Sequence, residues 1–400
     1  MTVADQGPPP ERSELSELPL AGYRPYSRLR LPRTSVSRAA IPAIDAHTHL
    51  GRWVTGGRWA VPDVAEFVAM LDSCNIAAVV NLDGRWGPEL EANLDRYDRR
   101  YPGRFATFCH VDWDLLHGPD SEASLAASLE RSVSAGARGL KVWKDVGLGV
   151  QDGAGRLVLP DDPRLDALWD AAGRLGAPVA IHTADPVAFF DPVDQRNERL
   201  EALLARPDWS FYDSKFPRFE RLIAALETIV TRHPGTTFIG VHVGCYAEDL
   251  GWVSEMLAAH PNFHVDIAGR IAELGRQPRA ARNLIRSHPG RVLFGTDEIP
   301  PNREAYEIYF RFMETADEYF PYSPDDPPTS GRWDISALDL SGDILHGVYA
   351  ANARRLIPGL AAGVTRRPGP GGRSRAGGAD GHPGRAGGRT GRPRPGLAGA

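Results

Sequence analysis

From Ile41 onward the chain alternates short apolar runs with amphipathic segments, at intervals of roughly 30 residues. Eight of the apolar runs have the length and β-branched composition of buried strands, and a segment of helical periodicity follows each of them. The expected strands are 42–46, 76–81, 104–109, 139–142, 178–181, 237–241, 262–266 and 291–295. The expected helices are 61–73, 89–99, 122–135, 164–175, 219–232, 247–259, 277–287 and 342–356. Parallel strands need helical crossovers, and eight such units complete a closed barrel. The pattern therefore predicts an α/β protein with a distorted (β/α)8 TIM barrel.

Three regions of different composition divide the chain. Residues 1–40 include a Pro-Pro-Pro run and show no sustained period, which predicts an N-terminal arm. Residues 41–360 carry the barrel pattern. Residues 361–400 consist mainly of Gly, Pro, Ala and Arg, a composition that cannot bury enough apolar surface to fold. We therefore expect a disordered Gly/Pro/Arg-rich tail.

The charge is divided unevenly between the barrel region and the tail. The net charge is −5 overall, while eight Arg and one Asp give residues 361–400 a charge of +7 and leave −12 for the rest. An acidic body argues against nucleic acid as a partner of the folded part. For the function of the whole chain, one alternative is a non-catalytic barrel whose basic tail attracts nucleic acid. Flexible arginines would give such a tail a salt-sensitive, unspecific attraction.

The sequence lacks the signs of secretion or of a membrane span. Its three cysteines, Cys74, Cys109 and Cys245, form no CxxC pair, so neither a disulfide framework nor a cysteine zinc site is indicated. No apolar h-region follows the N-terminus, and no run approaches the ~18 apolar residues that a membrane span requires. We expect a cytoplasmic protein without a membrane partner.

Two connections are longer than a barrel loop requires, 184–218 after the fifth strand and 298–341 after the eighth. Both leave the C-terminal ends of strands, where barrel enzymes build their sites, and both are rich in Trp, Tyr, Phe and Pro. They are expected to form lids or substrate walls. A subunit contact in a homodimer is the alternative.

A His-x-His pair closes the first expected strand. Because strand side chains alternate between faces, His47 and His49 project to the same side and could bind one ion. Later strands also end in polar residues, His182 at the fifth, His242 at the sixth and Asp297 at the eighth. A barrel brings these strand ends to one mouth, and their nitrogen and oxygen atoms are ligands that zinc accepts. The pattern predicts a metal-dependent enzyme with a small-molecule substrate.

Four motifs carry a resemblance to a known family: DAHTH at 45–49, IHT at 181–183, GVHVG at 240–244 and FGTD at 294–297. With them, residues 41–357 resemble the amidohydrolase superfamily, in the amidohydrolase-related branch that includes aminocarboxymuconate-semialdehyde decarboxylase. The ligands that the resemblance implies for zinc or another divalent ion are His47, His49, His182 and Asp297. The resemblance makes His242 the catalytic histidine beside the ion.

These roles are chemically consistent with a hydrolase. A divalent ion held by three nitrogens leaves a position for water, whose pKa falls to about 7, so that hydroxide is available at neutral pH. Asp297 would be a catalytic proton carrier as well as a ligand, and His242 would polarise a carbonyl or act as acid or base. The leading hypothesis is hydrolysis of a small amide, lactone or ester. The alternative is non-oxidative decarboxylation of a small aromatic or unsaturated carboxylic acid.

A lysine inside an apolar strand raises the question of a second ion. Lys141 lies in GLKVWKDVG at 139–147, where a buried ammonium must find compensation or lose its proton. The segment resembles the surroundings of the carboxylated, metal-bridging lysine of urease, except that Trp143 stands where urease has a histidine. By that resemblance Lys141 would bridge two ions. The decarboxylase branch works with one metal, so we favour one ion per chain and keep two as the alternative.

Four further residues are candidates for substrate contacts: Lys144, Arg85, Arg270 and His110. Arg85 and Arg270 follow the second and seventh strands, where a guanidinium could bind a carboxylate through two hydrogen bonds. Solvation at the surface is the alternative for either arginine. Lys144 could neutralise a substrate carboxylate or pair with Asp145, and His110 ends the third strand.

Overall fold

A computed structural model describes residues 16–19, 22, 23, 25, 27–328 and 330–360 of the chain. The predicted tail 361–400 lies outside the described residues, as does most of the expected arm up to residue 26. The chain divides into a unit up to Arg33 and a second unit from Thr34 onward. In the first unit every described residue except Leu31 is exposed. None of the described helices is long and apolar enough to span a membrane.

Each of the eight predicted strands is present. The strands are β1 (Ala43–Thr48), β2 (Ile76–Asn81), β3 (Phe105–Thr107), β4 (Leu140–Val142), β5 (Val179–Ile181), β6 (Phe238–Gly240), β7 (Phe263–Asp266) and β8 (Val292–Leu293). They pair in parallel and in chain order, β1 to β3 in one stretch and β4 to β8 in another. The order in the sheet follows the order in the sequence, as a barrel of successive βα units requires.

Two sets of backbone contacts close the stretches into one barrel. Cys109 beyond β3 bridges in parallel to Leu140 of β4. At the other junction the Ala46 amide donates to the Phe294 carbonyl and the Asp297 amide donates to the His47 carbonyl, both at 2.9 Å. The (β/α)8 prediction is confirmed.

Helices follow the strands on the outside. They are α1 (Val64–Ser73), α2 (Gly87–Arg96), α3 (Ser121–Ala135), α4 (Asp166–Leu175), α5 (Leu200–Ala205), α6 (Phe219–Arg232), α7 (Leu250–Ala259), α8 (Ile271–Arg276), α9 (Pro278–Ser287), α10 (Arg303–Glu314), α11 (Gly342–His346) and α12 (Asn352–Leu356). A π-helical turn, Gly347–Ala351, joins the last two into the single segment that the sequence predicts. Local chemistry sets several starts: the Asp63 side chain, for example, accepts from the Ala65 and Glu66 amides and caps α1.

Alternate strand residues divide between the barrel interior and the layer under the helices. The interior apolar cluster contains small side chains and a few branched ones: Ala46, Ala78, Val80, Ala106, Ala180, Ile239 and Leu293. The outer layer includes Val79, Phe105, Phe238 and Phe263 from the strands. Helix α6 adds Leu226, Ile229 and Val230, which share one face at spacings i, i+3 and i+4.

The two long connections contain regular structure that the sequence interpretation left out. Helix α5 lies within 184–218, while α10 and a two-stranded antiparallel sheet of β9 (Phe320–Pro321) and β10 (Asp334–Ile335) lie within 298–341. Helix α10 buries one aromatic face, with Tyr306, Tyr309 and Phe310. That these connections act as lids or substrate walls stays a prediction.

The closure between β8 and β1 depends on a glycine. A Cβ at Gly295 would lie 2.8 Å from the His47 Cβ and 3.2 Å from the Ala268 Cβ. We expect Gly295→Ala to lower the free energy of unfolding by about 1–3 kcal/mol, because the extra methyl overpacks the junction. Urea denaturation measures the change. Gly290→Ala is the matched control, since a Cβ there meets nothing within 4 Å. Equal stabilities of the two variants would contradict the closure argument.

Candidate metal centre

Two histidines from the first strand and one aspartate from the last meet at the C-terminal end of the barrel. His47 Nε2 lies 3.2 Å and His49 Nε2 lies 3.1 Å from the Asp297 Oδ1 atom. Both histidine side chains are 1% exposed and that of Asp297 is 9% exposed. Thr48, between the histidines, faces the other way and donates to the Val80 carbonyl at 2.8 Å. The alternation of β1 thus places both imidazoles against one carboxylate.

The residue before Asp297 is fixed to β1 by a buried carboxylate. Asp45 accepts from the Thr296 amide at 3.0 Å and from the Thr296 hydroxyl at 2.6 Å. The Tyr306 hydroxyl of α10 donates to the same carboxylate at 3.0 Å. Asp297 itself takes a left-handed backbone conformation with φ of 64°. These contacts turn the chain after β8 so that Asp297 faces His47.

His242 lies in a left-handed turn after β6. Its φ is 58°, and Val243 and Cys245 also have positive φ values, of 61° and 59°. The His242 Nδ1 atom is 2.7 Å from the Ala268 carbonyl, so a neutral ring donates there and leaves Nε2 as an acceptor. That Nε2 atom lies 3.8 Å from the Asp297 Oδ2 atom. His242 therefore faces the oxygen of Asp297 that the β1 histidines do not contact.

His182 lies beside His242, with ring centroids 4.5 Å apart. Its Nε2 atom is 3.1 Å from Asp185 Oδ1, and the other oxygen of Asp185 pairs with the Lys144 ammonium. Lys144 thus forms an ion pair with Asp185 rather than with Asp145. Asp185 was not among the predicted site residues, because it does not lie at the end of a strand.

Asp266 is a second functional aspartate that the sequence interpretation missed. It ends β7, and its Oδ2 atom lies 2.8 Å from the His47 Nδ1 atom. Its Oδ1 atom accepts from the backbone amides of His242 and Ala268 at 2.8 and 3.1 Å. Asp266 thereby orients His47, whose Nε2 faces Asp297, and fixes the turn that carries His242. The signal that could have found it is the strand-end position used for the other residues.

The protonation states suit metal ligands. Burial lowers the pKa of His49 and that of His182 to about 4, and burial also lowers the pKa of His242 well below its ordinary value. Burial alone would raise the pKa of Asp297, but the charge of the neighbouring His47 holds it well below its usual range. Burial acts to lower the pKa of His47 too, yet the carboxylates of Asp297 and Asp266 raise it overall. Neutral imidazoles bind divalent ions directly, and an ion at His47 would displace a proton.

Several buried polar atoms at this point have no hydrogen-bond partner among the described residues: His47 Nε2, His49 Nδ1, Trp143 Nε1 and Lys141 Nζ. Two groups bring their candidate ligand atoms within 4.8 Å of one another, His47 with His49 and Asp297, and His47 with His242 and Asp266. Imidazole nitrogens with a carboxylate oxygen are a donor set that zinc accepts. The residues therefore fit a divalent ion. His182 belongs to neither group.

Lys141 is buried at 1% exposure, with its ammonium 5.2 Å from the Trp143 ring. Burial lowers the pKa of Lys141 to about 8, against the opposing charges of Asp297 and Asp266. The Trp143 ring in turn lies 4.9 Å from that of His49. Lys141 thus lies near the candidate ligands, and its role as a bridge between two ions stays a prediction.

Of the predicted substrate residues, Arg85 and His110 contact each other. Arg85 Nη1 is 3.2 Å from His110 Nδ1, and His110 Nε2 is 2.8 Å from the Leu82 carbonyl. The Arg85 guanidinium contacts two indoles, 4.6 Å from the ring of Trp53 and 4.2 Å from that of Trp86. It forms no ion pair with a carboxylate of the described part of the chain. Arg270 does not belong to this pair. It is only 3% exposed, so it is not a solvated surface residue.

A cavity of about 1250 Å³ opens beside Asp297. Its lining includes Gly269, Arg270, Arg199, Glu273 and much of the connection after β8. This volume is large enough for a small-molecule substrate. The cavity gives a substrate access to Asp297 from the side of the two long connections.

The hydrogen bond from His47 to Asp266 gives a testable prediction. In Asp266→Asn the amide nitrogen would face His47 Nδ1, which favours the tautomer that carries a proton on Nε2. We expect the affinity for Zn²⁺ to fall about 10- to 100-fold, as measured by competition with a chromophoric chelator. Asp249→Asn, at the exposed cap of α7, is the control and should leave the affinity unchanged. An unaltered affinity in Asp266→Asn would show that Asp266 does not orient a ligand.

Comparisons with known proteins agree with the geometry. A family model described as amidohydrolase matches residues 44–359. The solved 2,6-dihydroxybenzoate decarboxylase from Rhizobium is 16% identical, with a TM-score of 0.50 over 79% of this chain and 98% of that one. Its complex with 2,6-dihydroxybenzoate is 17% identical, with a TM-score of 0.50 over 79% and 99%. A search of curated proteins gives no match. At these identities the solved structures support a common fold.

Proposed function

The chain belongs to the amidohydrolase family, and from this premise we propose that it is a metal-dependent hydrolase of a small amide, lactone or ester. The observation that carries the proposal is the pair formed by Asp297 and His242. One oxygen of Asp297 contacts the β1 histidines, while the other faces an unprotonated His242 Nε2 at 3.8 Å. Two bases on one side of a metal site are what a water-activating enzyme needs.

The ligands of the proposed ion are His47, His49 and Asp297, with His182 as the fourth candidate. When bound, a divalent ion would supply Lewis acidity, which polarises a carbonyl and lowers the pKa of water. Asp297 Oδ2 accepts a proton from the attacking water. His242, held by its Nδ1 hydrogen bond to Ala268, orients that water, and its Nε2 atom then takes over the proton from Asp297 Oδ2, 3.8 Å away. The imidazolium form of His242 then donates this proton to the leaving amine or alkoxide.

A second function, decarboxylation of a small aromatic acid, is favoured by the surroundings of Arg85. Its guanidinium contacts two indoles and forms no ion pair with a carboxylate of the described residues. A planar acid could stack on such indoles and pair with the guanidinium. The proton that His242 or Asp297 carries would then go to the carbon that loses carbon dioxide.

Two measurements on one preparation distinguish the alternatives. Protein purified without chelator is assayed for metal by plasma mass spectrometry, beside Lys141→Ala. About one equivalent in both proteins supports a single ion, whereas two equivalents that fall in the variant support a lysine bridge.

The Zn²⁺-loaded protein is then given N-acyl amino acids, lactones and aryl esters, and separately dihydroxybenzoates. Appearance of the free carboxylic acid product without carbon dioxide supports the hydrolase, and carbon dioxide release supports the decarboxylase. A protein that binds no Zn²⁺ after reconstitution would contradict both.

A further inference from the structure

Arg270 is a buried cation without a counter-ion. It is 3% exposed, and its Nη1 atom donates to the carbonyl of the adjacent Gly269 at 2.9 Å. Its Nη2 atom is buried and has no hydrogen-bond partner in the part of the chain that the structure describes. No carboxylate of the described residues forms an ion pair with it. Because an unpaired buried charge is costly, such a guanidinium indicates an anion that binds there.

The position of Arg270 connects it to the metal centre. Gly269 has a φ of 63°, and a Cβ on it would lie 3.5 Å from His242 Nδ1 and 3.6 Å from Asp297 Oδ2. The backbone therefore passes close to both catalytic candidates immediately before Arg270. Arg270, Gly269 and Asp297 all line the 1250 Å³ cavity. An anion at Arg270 would lie in the same cavity as the proposed reaction.

Of the two buried arginines in the cavity lining, Arg270 is the one that forms no ion pair with a carboxylate of the described residues. Arg199 lines the same cavity, but it pairs with Glu273 and donates to the Ser330 carbonyl. The Arg199 Nε atom also lies 4.0 Å from Glu198 Oε1, so a second carboxylate is close to this guanidinium. Because Glu273 neutralises Arg199, the side chains of Arg199, Arg270 and Glu273 together carry one net positive charge. A monoanionic carboxylate matches that charge better than a phosphate dianion does.

We propose that Arg270 binds a carboxylate of the substrate that is remote from the bond being broken. The substrate class is then a small acid whose reactive carbonyl lies at the metal centre and whose carboxylate lies at Arg270. This inference rests on the proposed function in one respect only, namely that the substrate binds in this cavity. The proposed carboxylate site suits a hydrolase and a decarboxylase equally. In a decarboxylase, the substrate would carry a second carboxylate at the metal centre, and that second group would leave as carbon dioxide.

Binding of benzoate, with benzamide as its neutral counterpart, tests the proposal by calorimetry on Zn²⁺-loaded protein. We expect Arg270→Met to weaken benzoate binding roughly 10- to 100-fold and to leave benzamide unchanged, since hydrogen bonds to a charged group are lost. Arg303→Met is the matched control, because Arg303 lines the same cavity but is exposed and lies 4.0 Å from Glu307. Arg270→Lys, which keeps the charge without the planar fork, should give an intermediate loss.

The same titration on metal-free protein separates this inference from the proposed function. Benzoate binding that persists without metal and still depends on Arg270 supports the carboxylate site, whatever the turnover. Benzoate binding that disappears with the metal, or that Arg270→Met leaves intact, would overturn it. Arg270→Met should also unfold at no lower urea concentration than the wild type. A large loss of stability would reveal a structural partner for the guanidinium and would equally overturn the inference.

Discussion

His49→Ala is expected to keep the barrel, to bind less than about a tenth of the wild-type complement of divalent ion, and to lose turnover by about three orders of magnitude or more. The variant removes one of the three groups whose ligand atoms converge at the end of β1. His47 and Asp297 alone leave too few protein ligands to hold an ion firmly. Lewis acidity worth several kcal/mol in the transition state is lost with the ion.

Metal analysis and turnover are measured together on the His49→Ala protein. His260→Ala is the matched control, because His260 follows α7 at the opposite end of the barrel and is no part of the candidate site. Circular dichroism checks that both variants are folded. A His49→Ala protein with a full complement of ion would rule out the assignment of this histidine as a ligand.

His242→Asn should separate metal binding from turnover. The residue has a φ of 58°, a conformation that asparagine tolerates better than most side chains, so the turn after β6 should survive. An amide cannot take up the proton that we assign to Nε2. We expect turnover to fall about 10²- to 10⁴-fold, while the metal content stays near that of the wild type.

The metal content of His242→Asn is the informative half of that experiment. His242 also belongs to the second potential ligand group, with His47 and Asp266. If the variant is folded and lacks metal, then His242 is a ligand, and the single-ion assignment at His47, His49 and Asp297 is wrong. Retained metal with lost turnover places His242 in proton transfer.

The strands and the main helices were predictable because their periodicity is local. Residues such as Leu226, Ile229 and Val230 reveal a buried helical face within a single turn. The approach of His47, His49 and Asp297 was predictable for a different reason, since a barrel brings the ends of all its strands to one face. That argument needs only the position of each residue in its strand.

The partners of these residues were less accessible to sequence reasoning. Whether Lys144 pairs with Asp145 or with Asp185 depends on how two separate loops approach, and nothing in the spacing decides it. Helix α8, which Arg270 immediately precedes, packs against β10 and α10 of the connection after β8, and these tertiary contacts are likewise not visible in the spacing of the sequence. Asp266 is the exception, because its position at the end of a strand is visible in the sequence and predicts a place at the site.

The closure of β8 on β1 also bears on how the protein acquires its metal. Asp45 and Thr296, which hydrogen-bond across that closure, are 251 residues apart in the chain. Such a distant contact has a high entropic cost and is expected to form late in folding. A nascent chain would therefore have no complete ion site until its last strand joins its first. An ion bound by both strands would act as a cross-link, so metal should slow the unfolding of the barrel at this closure.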